Sequence, residues 1–399
     1  MGIEYILLMN KSTLIKTIPY GRQSITDADI EAVVSVLKSD YLTQGHTIPE
    51  FEKKFAEYVG AHYAVAISNG TAALHLCAKA LNVNSSSRVI TSPITFAASA
   101  NCIRYCGGEV FFADIDPTTF LLDINKVRTL LEKHPKGYFQ GIIPVDFAGN
   151  TVNLEAFRGL ADEYNLWIIE DACHAPGGYF IDSNSKQQKC GNGSFADLAI
   201  FSFHPVKHIA TGEGGMITTN DKALYEKLLL LRTHGITKDA AKFKNSTDEI
   251  AQGGWYYEMQ ELGYNYRLTD FQAALGISQL TRADKNLARR REIANRYDDS
   301  FKNSKIIRPI SFEGNAYHLY VIQVEDRLGM YNHLKANSIF AQVHYVPVHL
   351  MPYYKELANK KGDFPYAEHY YEKCLSIPMY HSLSDDDQNY VIEAILKYS

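Results

Sequence analysis

The chain has 399 residues, of which 46% are hydrophobic and 21% charged, and its formal net charge is −5. This composition allows one large α/β domain with a smaller second one, and it lacks the basic face that nucleic-acid-binding proteins carry. Because no apolar run reaches the ~18 residues of a membrane helix and no signal peptide is visible, we expect a cytoplasmic protein without nucleic-acid or membrane partners.

The first half of the chain alternates apolar runs with amphipathic helices. Helical spacing after Thr26 and the run FEKKFAEYVG predict two helices. The predicted strands that follow are HYAVAIS, RVITS, EVFFADI, GIIPVDF, LWIIEDA and LAIFSF, and the helices between them are TAALHLCAKAL, FAASANCIRYC, Asn125–Lys133 and LEAFRGLADEYN. This alternation is typical of an α/β protein with a mostly parallel sheet covered on both faces.

The pattern changes near Arg267. The run FQAALGISQLTRADKNLARRREIANRY predicts one long connecting helix, with Arg289–Arg291 on its solvated face. Contact of these arginines with a diphosphate is a less favoured alternative. The helix leads into a smaller C-terminal α/β unit, in which HLYVIQV and FAQVHYVPV are predicted strands. We therefore predict a large domain over residues 19–265 and a small domain over residues 266–399.

Ligands in parallel sheets bind at the carboxyl ends of the strands, and the first candidate group is the turn SNGTAAL after HYAVAIS. Gly70 permits a tight turn, and the helix that begins near Thr71 directs free N–H groups outward. These N–H groups suit a phosphate. A simple helix cap is the more common role of such a sequence taken alone.

The second group is Asp171, which ends the apolar strand LWIIE. A carboxylate in this position is costly to bury unless a cation or a hydrogen-bond donor faces it. It either caps the next loop or pairs with the protonated pyridine nitrogen of a cofactor. His174 follows three residues later, and it either packs in the loop or contacts the same ring.

The third group is Lys207, which lies between the strand LAIFSF and the turn GEGG. A buried lysine amine becomes a nucleophile and forms Schiff bases with carbonyl groups. Together with a phosphate cradle (Gly70, Thr71 and Ser202), Asp171 for a ring nitrogen and Phe96 for a ring face, it predicts a pyridoxal-phosphate site. The combination carries this prediction, since no single residue does.

Two histidines, His204 and His208, flank Lys207 with the i,i+4 spacing of zinc ligands. Pro205 opposes a regular helix between them, and no HExxH motif accompanies them. We therefore expect no metal site.

Five strings show a resemblance to a known family: SNGTAALHL, SPITFAASAN, IEDACHA, FSFHPVKHIATGEGGM and ELGYNYRLTDFQAALG. In order and spacing they resemble the DegT/DnrJ/EryC1/StrS aminotransferases, over nearly the whole chain from Pro19 on. The strings IPYGRQSI, YLTQG and VHYVPVHL are most similar to the PseC-like branch. The resemblance implies the architecture of PLP-dependent transferase fold type I.

The resemblance also implies roles for single residues. Lys207 would form the Schiff base with pyridoxal 5′-phosphate, Asp171 would pair with the pyridinium, and His174 would lie by the ring. Thr71 and Ser202 would hold the phosphate. Asn265 would reach the phosphate of a neighbouring subunit, which implies a homodimer with shared sites. The residues implied near the sugar nucleotide are Tyr20, Tyr41, Leu42, Thr43, Gln44, His344 and Tyr345.

The implied reaction moves an amino group from glutamate to C4 of a UDP-linked 4-keto-6-deoxy-N-acetyl-hexosamine, on the pseudaminic acid route. A dTDP- or GDP-linked keto sugar is the main alternative substrate. A non-catalytic regulator that binds the cofactor is a second alternative. A sugar dehydratase of the same family would have histidine in place of the Schiff-base lysine, and the presence of Lys207 argues against it.

Overall fold

The computed structural model describes residues 17–245, 253–308 and 310–398. The strands in this part of the chain are β1 (Ile18–Pro19), β2 (Tyr63–Ile67), β3 (Arg88–Thr91), β4 (Glu109–Phe112), β5 (Gly141–Ile143), β6 (Trp167–Asp171), β7 (Tyr179–Ile181), β8 (Gln187–Lys189), β9 (Leu198–Ser202), β10 (Gly215–Thr219), β11 (Ile236–Thr237), β12 (Glu258–Met259), β13 (Tyr320–Gln323), β14 (Ile339–Phe340) and β15 (Cys374–Ile377).

The α-helices of the same residues, numbered in chain order, cover both faces of the largest sheet and form most of the C-terminal region. They are α1 (Asp27–Leu37), α2 (Thr47–Val59), α3 (Gly70–Ala80), α4 (Ala98–Tyr105), α5 (Ile124–Glu132), α6 (Leu154–Tyr164), α7 (Lys222–Arg232), α8 (Asp270–Leu280), α9 (Ala283–Phe301), α10 (Arg327–Ala336), α11 (Pro352–Lys355), α12 (Pro365–Lys373) and α13 (Asp385–Tyr398).

The central sheet has seven strands in the order β2-β10-β9-β6-β5-β3-β4. All neighbouring pairs are parallel except those of β10, which is antiparallel to both β2 and β9. The inner strands β5, β9 and β10 are buried along almost their whole length because helices cover both faces of the sheet. The α/β class with a mostly parallel sheet is therefore confirmed, and β10 is an addition where the sequence had indicated only a glycine-rich turn.

The C-terminal region forms a second core. Strands β13 and β15 pair antiparallel, and α9, α10 and α13 contribute buried side chains to the same cluster as these strands. Helix α8 lies elsewhere, because it packs on α1 and α2, and its Ala273 shares a core with Phe51 and Phe55. The division into residues 19–265 and 266–399 stays a prediction.

Three expectations for the C-terminal half were wrong. The predicted long helix is broken between α8 and α9, where the Thr281 hydroxyl donates back to the Ser278 carbonyl oxygen. Arg290 is buried rather than solvated and donates to three backbone carbonyl oxygens. In FAQVHYVPV only the first residue belongs to a strand, β14, since the chain then follows a cavity wall and Pro347 lacks an N–H group for a ladder.

Among the described residues, no helix combines the length and the apolar character needed to cross a membrane. The cytoplasmic location stays a prediction.

Candidate active site

A cavity of about 650 Å³ opens at the carboxyl ends of β2, β3, β6 and β9. The parallel strands bring their C-terminal loops to one edge of the sheet, as the sequence pattern predicted. Ten of the residues predicted from the sequence line this cavity: Tyr20, Gly70, Thr71, Phe96, Asp171, His174, Ser202, Lys207, His344 and Tyr345.

Lys207 lies in the loop after β9, where its backbone N–H donates to the His204 carbonyl oxygen at 2.8 Å. The residue is half-buried. Burial lowers the pKa of the Lys207 amine, and the nearby Cys173 and Asp171 oppose that shift. Within the residues that the structure describes, the amine makes no hydrogen bond or ion pair. It is therefore available for nucleophilic chemistry.

Asp171 at the end of β6 is 5% exposed. Its Oδ2 accepts a hydrogen bond from the Ser99 hydroxyl at 2.6 Å, and its Oδ1 accepts one from the Cys173 N–H at 3.2 Å. The Ser99 hydroxyl is also 2.8 Å from that of Thr95. These donors fix the orientation of a buried carboxylate at the floor of the cavity.

His174 is buried beside Asp171, and its two ring nitrogens have different partners. The Ala148 N–H donates to Nδ1 at 3.2 Å, so Nδ1 carries no proton and Nε2–H faces the Tyr345 hydroxyl at 3.3 Å. Burial and the positive charge of Lys207 hold the pKa of His174 well below its usual value. His174 is therefore neutral near pH 7.

The N-terminus of α3 forms a cradle between β2 and β9. Asn69 caps the helix by accepting from the Ala72 N–H at 2.8 Å, and the first N–H groups of a helix have no acceptor within it. A Cβ atom at Gly70 would lie 3.0 Å from the Ser202 Cβ, and one at Gly215 would lie 2.8 Å from the Asn69 carbonyl carbon. The glycines thus allow the close approach of backbone segments that leaves room for an anion.

Five predicted residues lie outside the lining of this cavity. Asn265 is exposed on the segment before α8, and the exposed run Tyr41–Gln44 lies near the N-terminus of that helix. Asp270 holds the run in place by accepting from the Gly45 N–H at 2.8 Å. A smaller cavity of about 250 Å³ contains Gln44 and Arg267. The roles implied for these five residues stay predictions.

Several lining residues were missed by the sequence analysis, namely Asn69, Ser99, Cys173 and His318. Asn69 could have been found, because it directly precedes a glycine at a helix start. Nothing local indicates Ser99 or His318, since tertiary packing brings both to the site. Of the histidines near Lys207, His204 is exposed, whereas the buried His208 lies 2.8 Å from the Ala316 carbonyl oxygen. They therefore do not form a shared ligand set.

Comparisons of the sequence identify relatives along the whole chain. The model of the DegT/DnrJ/EryC1/StrS aminotransferase family matches residues 23–396. The spore coat polysaccharide biosynthesis protein SpsC of Bacillus subtilis is 40% identical, over 95% of this chain and 96% of that protein. A UDP-4-amino-4,6-dideoxy-N-acetyl-β-L-altrosamine transaminase of Campylobacter jejuni is 37% identical over 95% and 96%. GDP-perosamine synthase of Escherichia coli O157:H7 is 32% identical over 96% and 99%.

Solved structures share the fold. PseC of Helicobacter pylori, an aminotransferase of pseudaminic acid biosynthesis, has a TM-score of 0.84 at 30% identity and covers 96% of this chain and 99% of its own. Spr1654 of Streptococcus pneumoniae in its PMP form has a TM-score of 0.85 at 30% identity, with 95% and 98% covered, and a PLP form of it has also been solved.

The cavity fits pyridoxal phosphate by its chemistry. Among the described residues the amine of Lys207 is without a partner, the carboxylate of Asp171 is oriented by two donors, and the α3 N-terminus provides an anion cradle. Phe96 lines the same space with 61% of its surface exposed. The set offers an amine, an oriented carboxylate, a helix N-terminus and an aromatic face, which are the groups that this cofactor requires.

Proposed function

We propose, from the premise that this chain belongs to the DegT/DnrJ/EryC1/StrS aminotransferase family and uses pyridoxal 5′-phosphate, that it transfers an amino group from glutamate to C4 of a UDP-linked 4-keto-6-deoxy-N-acetyl-hexosamine. Such a step belongs to pseudaminic acid biosynthesis. The observation that carries the proposal is the meeting of Lys207, Asp171 and the α3 N-terminus in one cavity.

Each residue of the cavity has its own role in the proposed reaction. When bound, pyridoxal phosphate supplies an aldehyde that holds an amino group and a ring that accepts electrons. Lys207 would hold the cofactor covalently, and its Nζ would move a proton at the carbon that carries the transferred nitrogen. Asp171 would hold the proton on the pyridine nitrogen. Gly70, Thr71 and Ser202 would bind the phosphate at the helix N-terminus.

His174 acts as a neutral neighbour of the ring. Because its Nδ1 accepts from the Ala148 N–H, its Nε2–H donates toward Tyr345. A neutral imidazole places no second cation beside the ring, so it would not repel a proton on the ring nitrogen.

The sugar nucleotide occupies the remaining part of the cavity. Tyr20, His344 and Tyr345 line it, and aromatic side chains of this kind pack against sugar rings. Burial and the charge of Lys207 lower the pKa of His344 to about 3, so His344 is neutral and offers hydrogen bonds rather than charge. The 37% identity to the altrosamine transaminase supports UDP as the nucleotide.

The protein works as a homodimer with shared sites. Asn265 and the run Tyr41–Gln44 are exposed and lie outside the cavity of their own chain, which supports a role in the cavity of a partner subunit. Arg267, two residues after Asn265, lines the smaller cavity with Gln44 and gives this surface a positive charge that suits a phosphate or diphosphate.

The alternative substrate is a GDP-linked keto sugar, which the 32% identity to GDP-perosamine synthase supports. A panel of UDP-, GDP- and dTDP-linked 4-keto sugars, assayed with glutamate by mass spectrometry of the product, distinguishes the candidates. We expect the UDP-linked N-acetylated sugar to have the highest kcat/KM. A higher kcat/KM for the GDP-linked sugar would make that sugar the proposed substrate. If no amino group is transferred with any donor or sugar, the result would support the non-catalytic regulator.

A further inference from the structure

A buried group of titratable side chains lies directly behind the floor of the cavity. Asp146, Glu170 and Cys190 are each 1% exposed, and one ligand atom from each lies within 4.8 Å of the others. Asp146 follows β5, and Glu170 precedes Asp171 on β6, so that its side chain points to the opposite face of the sheet. None of the three residues lines the cavity.

Each carboxylate has one satisfied and one unsatisfied oxygen. Asp146 Oδ1 accepts from the Val152 N–H at 2.9 Å, and Glu170 Oε2 accepts from the Gly191 N–H at 2.9 Å. Asp146 Oδ2 and Glu170 Oε1 are buried and have no donor. In the described part of the chain, no cation forms an ion pair with either group. Two adjacent unpaired carboxylates in such a place would be strongly unfavourable.

A single proton would remove the repulsion between these two buried carboxylates. We propose that Asp146 and Glu170 share a single proton, carried by Glu170 and accepted by Asp146, and that the resulting pair positions Asp171 and His174. A protonated Glu170 donates an O–H···O hydrogen bond to Asp146, so both unsatisfied oxygens become paired and the net charge of the pair falls to −1. This role rests on the proposed function, because it concerns residues assigned to the cofactor.

Burial and the neighbouring negative charges favour the protonated state of the pair formed by Asp146 and Glu170. Burial raises the pKa of Asp146 to about 7, and Asp171 adds to the shift; burial and the charge of Asp146 raise the pKa of Glu170 well above its usual value. The titratable groups that face the pair are Asp171, Cys173 and Cys190. Burial raises the pKa of the Cys190 thiol well above its usual value, so it stays protonated and does not neutralise a carboxylate.

Backbone contacts connect the pair to the cofactor residues. The Asp146 N–H donates to the Asp171 carbonyl oxygen at 3.1 Å. Two residues later, the Ala148 N–H donates to His174 Nδ1. The side chain of Asp146 also holds the far end of this turn through Val152. Loss of the shared proton places two negative charges in contact, which displaces the turn and with it the donor to His174.

A bound cation is the competing explanation, since carboxylate and thiolate are ligand types for metals. Two features argue against it. The second oxygen of each carboxylate is already committed to a backbone N–H, and the site has almost no exposure through which water could complete a coordination shell. Metal analysis of the purified protein is therefore part of the test.

The first experiment detects the proton shared by Asp146 and Glu170. Infrared difference spectra of the full chain without cofactor, recorded from about pH 6 to about pH 9, will show the C=O stretch of a protonated carboxylic acid that disappears as pH rises. We expect the band to be absent in Glu170→Gln and present in the matched control Glu155→Gln, which alters a surface carboxylate that accepts from the Ser183 hydroxyl. An unchanged band in Glu170→Gln, no band in the wild type, or one equivalent of tightly bound metal would overturn the shared proton.

The second experiment tests the positioning role by measuring how tightly variants bind pyridoxal phosphate. The amide that Glu170→Gln introduces can donate an N–H to Asp146 and accept from the Gly191 N–H. We therefore expect this variant to bind pyridoxal phosphate as tightly as the wild type at neutral pH and to lose it less at alkaline pH. Asp146→Ala removes the contact and should weaken binding roughly tenfold. Unchanged binding by Asp146→Ala would overturn the positioning role. Failure of the wild type to bind the cofactor would contradict the proposed function, while the infrared result would still stand.

Discussion

At the residue scale, Asp171 depends on a relay of hydroxyl groups. Ser99 lies between Thr95 and Asp171, and its hydroxyl donates to Asp171 Oδ2 at 2.6 Å. Ser99 is fully buried on α4, and its side chain is at the edge of the cavity. The carboxylate that we propose as the partner of the pyridine nitrogen is therefore oriented by Ser99, a residue to which the proposal gives no chemical role.

Removal of this hydroxyl should weaken the site without unfolding the protein. We predict that Ser99→Ala lowers both the affinity for pyridoxal phosphate and kcat/KM about tenfold, because one buried hydrogen bond to a charged group is lost. The affinity for pyridoxal phosphate is measured by titrating the cofactor and following the absorbance. The exposed Ser86→Ala variant is the control. Wild-type affinity in Ser99→Ala would show that the Cys173 N–H alone orients Asp171.

The placement of two residues at the cavity was predictable from the sequence, because Asp171 ends the apolar strand β6 and Lys207 lies in the loop after the apolar strand β9. Lys207 and Asp171 each occupy such a place, and parallel strands end at one edge of the sheet. Ser99 and His318 were not predictable in this way. Ser99 follows β3 within a helix that resembles any amphipathic helix, and His318 comes from the C-terminal half of the chain through long-range packing.

At the element scale, an ion pair connects the first helix to the junction of α8 and α9. Asp29 on α1 is fully buried and accepts from Arg282 at 2.9 Å, from Gln279 at 3.0 Å and from the Thr26 N–H at 2.8 Å. Burial alone would raise the pKa of Asp29, but the hydrogen bonds from Arg282, Ser278 and Thr26 outweigh it and lower the pKa to about 2.

The stability that this pair contributes should depend on acid pH. Because the folded pKa lies below the ordinary value of about 3.9, the contribution is fully present above about pH 4 and is lost as pH falls toward about 2. We predict that Asp29→Asn lowers the free energy of unfolding by about 2 kcal/mol at neutral pH and by much less near pH 2. Urea denaturation at several pH values measures this, with the exposed Asp27→Asn as control. A constant difference across this range would contradict the ion-pair account.

Helix and strand types were largely predictable, whereas breaks were not. Apart from β10, the strands of the central sheet lie within the apolar runs that indicated them, and α3 and α6 follow their amphipathic patterns. The break between α8 and α9 depends on side chains that bond to α1 and to the helix backbone, Arg282 and Thr281. Such contacts leave no periodic signal in the sequence.

At the scale of the whole molecule, part of the predicted site lies outside the cavity of its own chain. Asn265 is exposed, as are Tyr41 and Leu42 with 58% and 48% of their surfaces accessible. Large apolar side chains in this position are typical of a surface that another chain covers. The proposal of a homodimer with shared sites gives these residues a function.

Complementation between inactive variants tests the shared site. If Asn265 acts in the partner's cavity, a mixture of Lys207→Ala and Asn265→Ala subunits contains dimers with one intact site and one doubly altered site. We predict recovery of about a quarter of the wild-type activity after equal mixing and subunit exchange, because half the dimers are mixed and each has one intact site. If Asn265 acts within its own chain, the mixture will be no more active than the Asn265→Ala subunits in it.

The fold class could be predicted from the alternation of strands and helices, and the aminotransferase family from the motifs in their order. The arrangement of the C-terminal region could not, because Ile18 from the start of the described chain packs into the core of α9, α10 and α13. Contacts between residues so far apart in the sequence require the folded structure.

The most direct test of the central claim is chemical labelling of the lysine. The protein, loaded with pyridoxal phosphate and reduced with borohydride, is digested and its peptides are analysed by mass spectrometry. We predict that the pyridoxyl label is on Lys207 alone, and that Lys207→Ala takes up no label while the exposed Lys222→Ala variant is labelled normally. A label on another lysine, or no label on Lys207, would contradict the account.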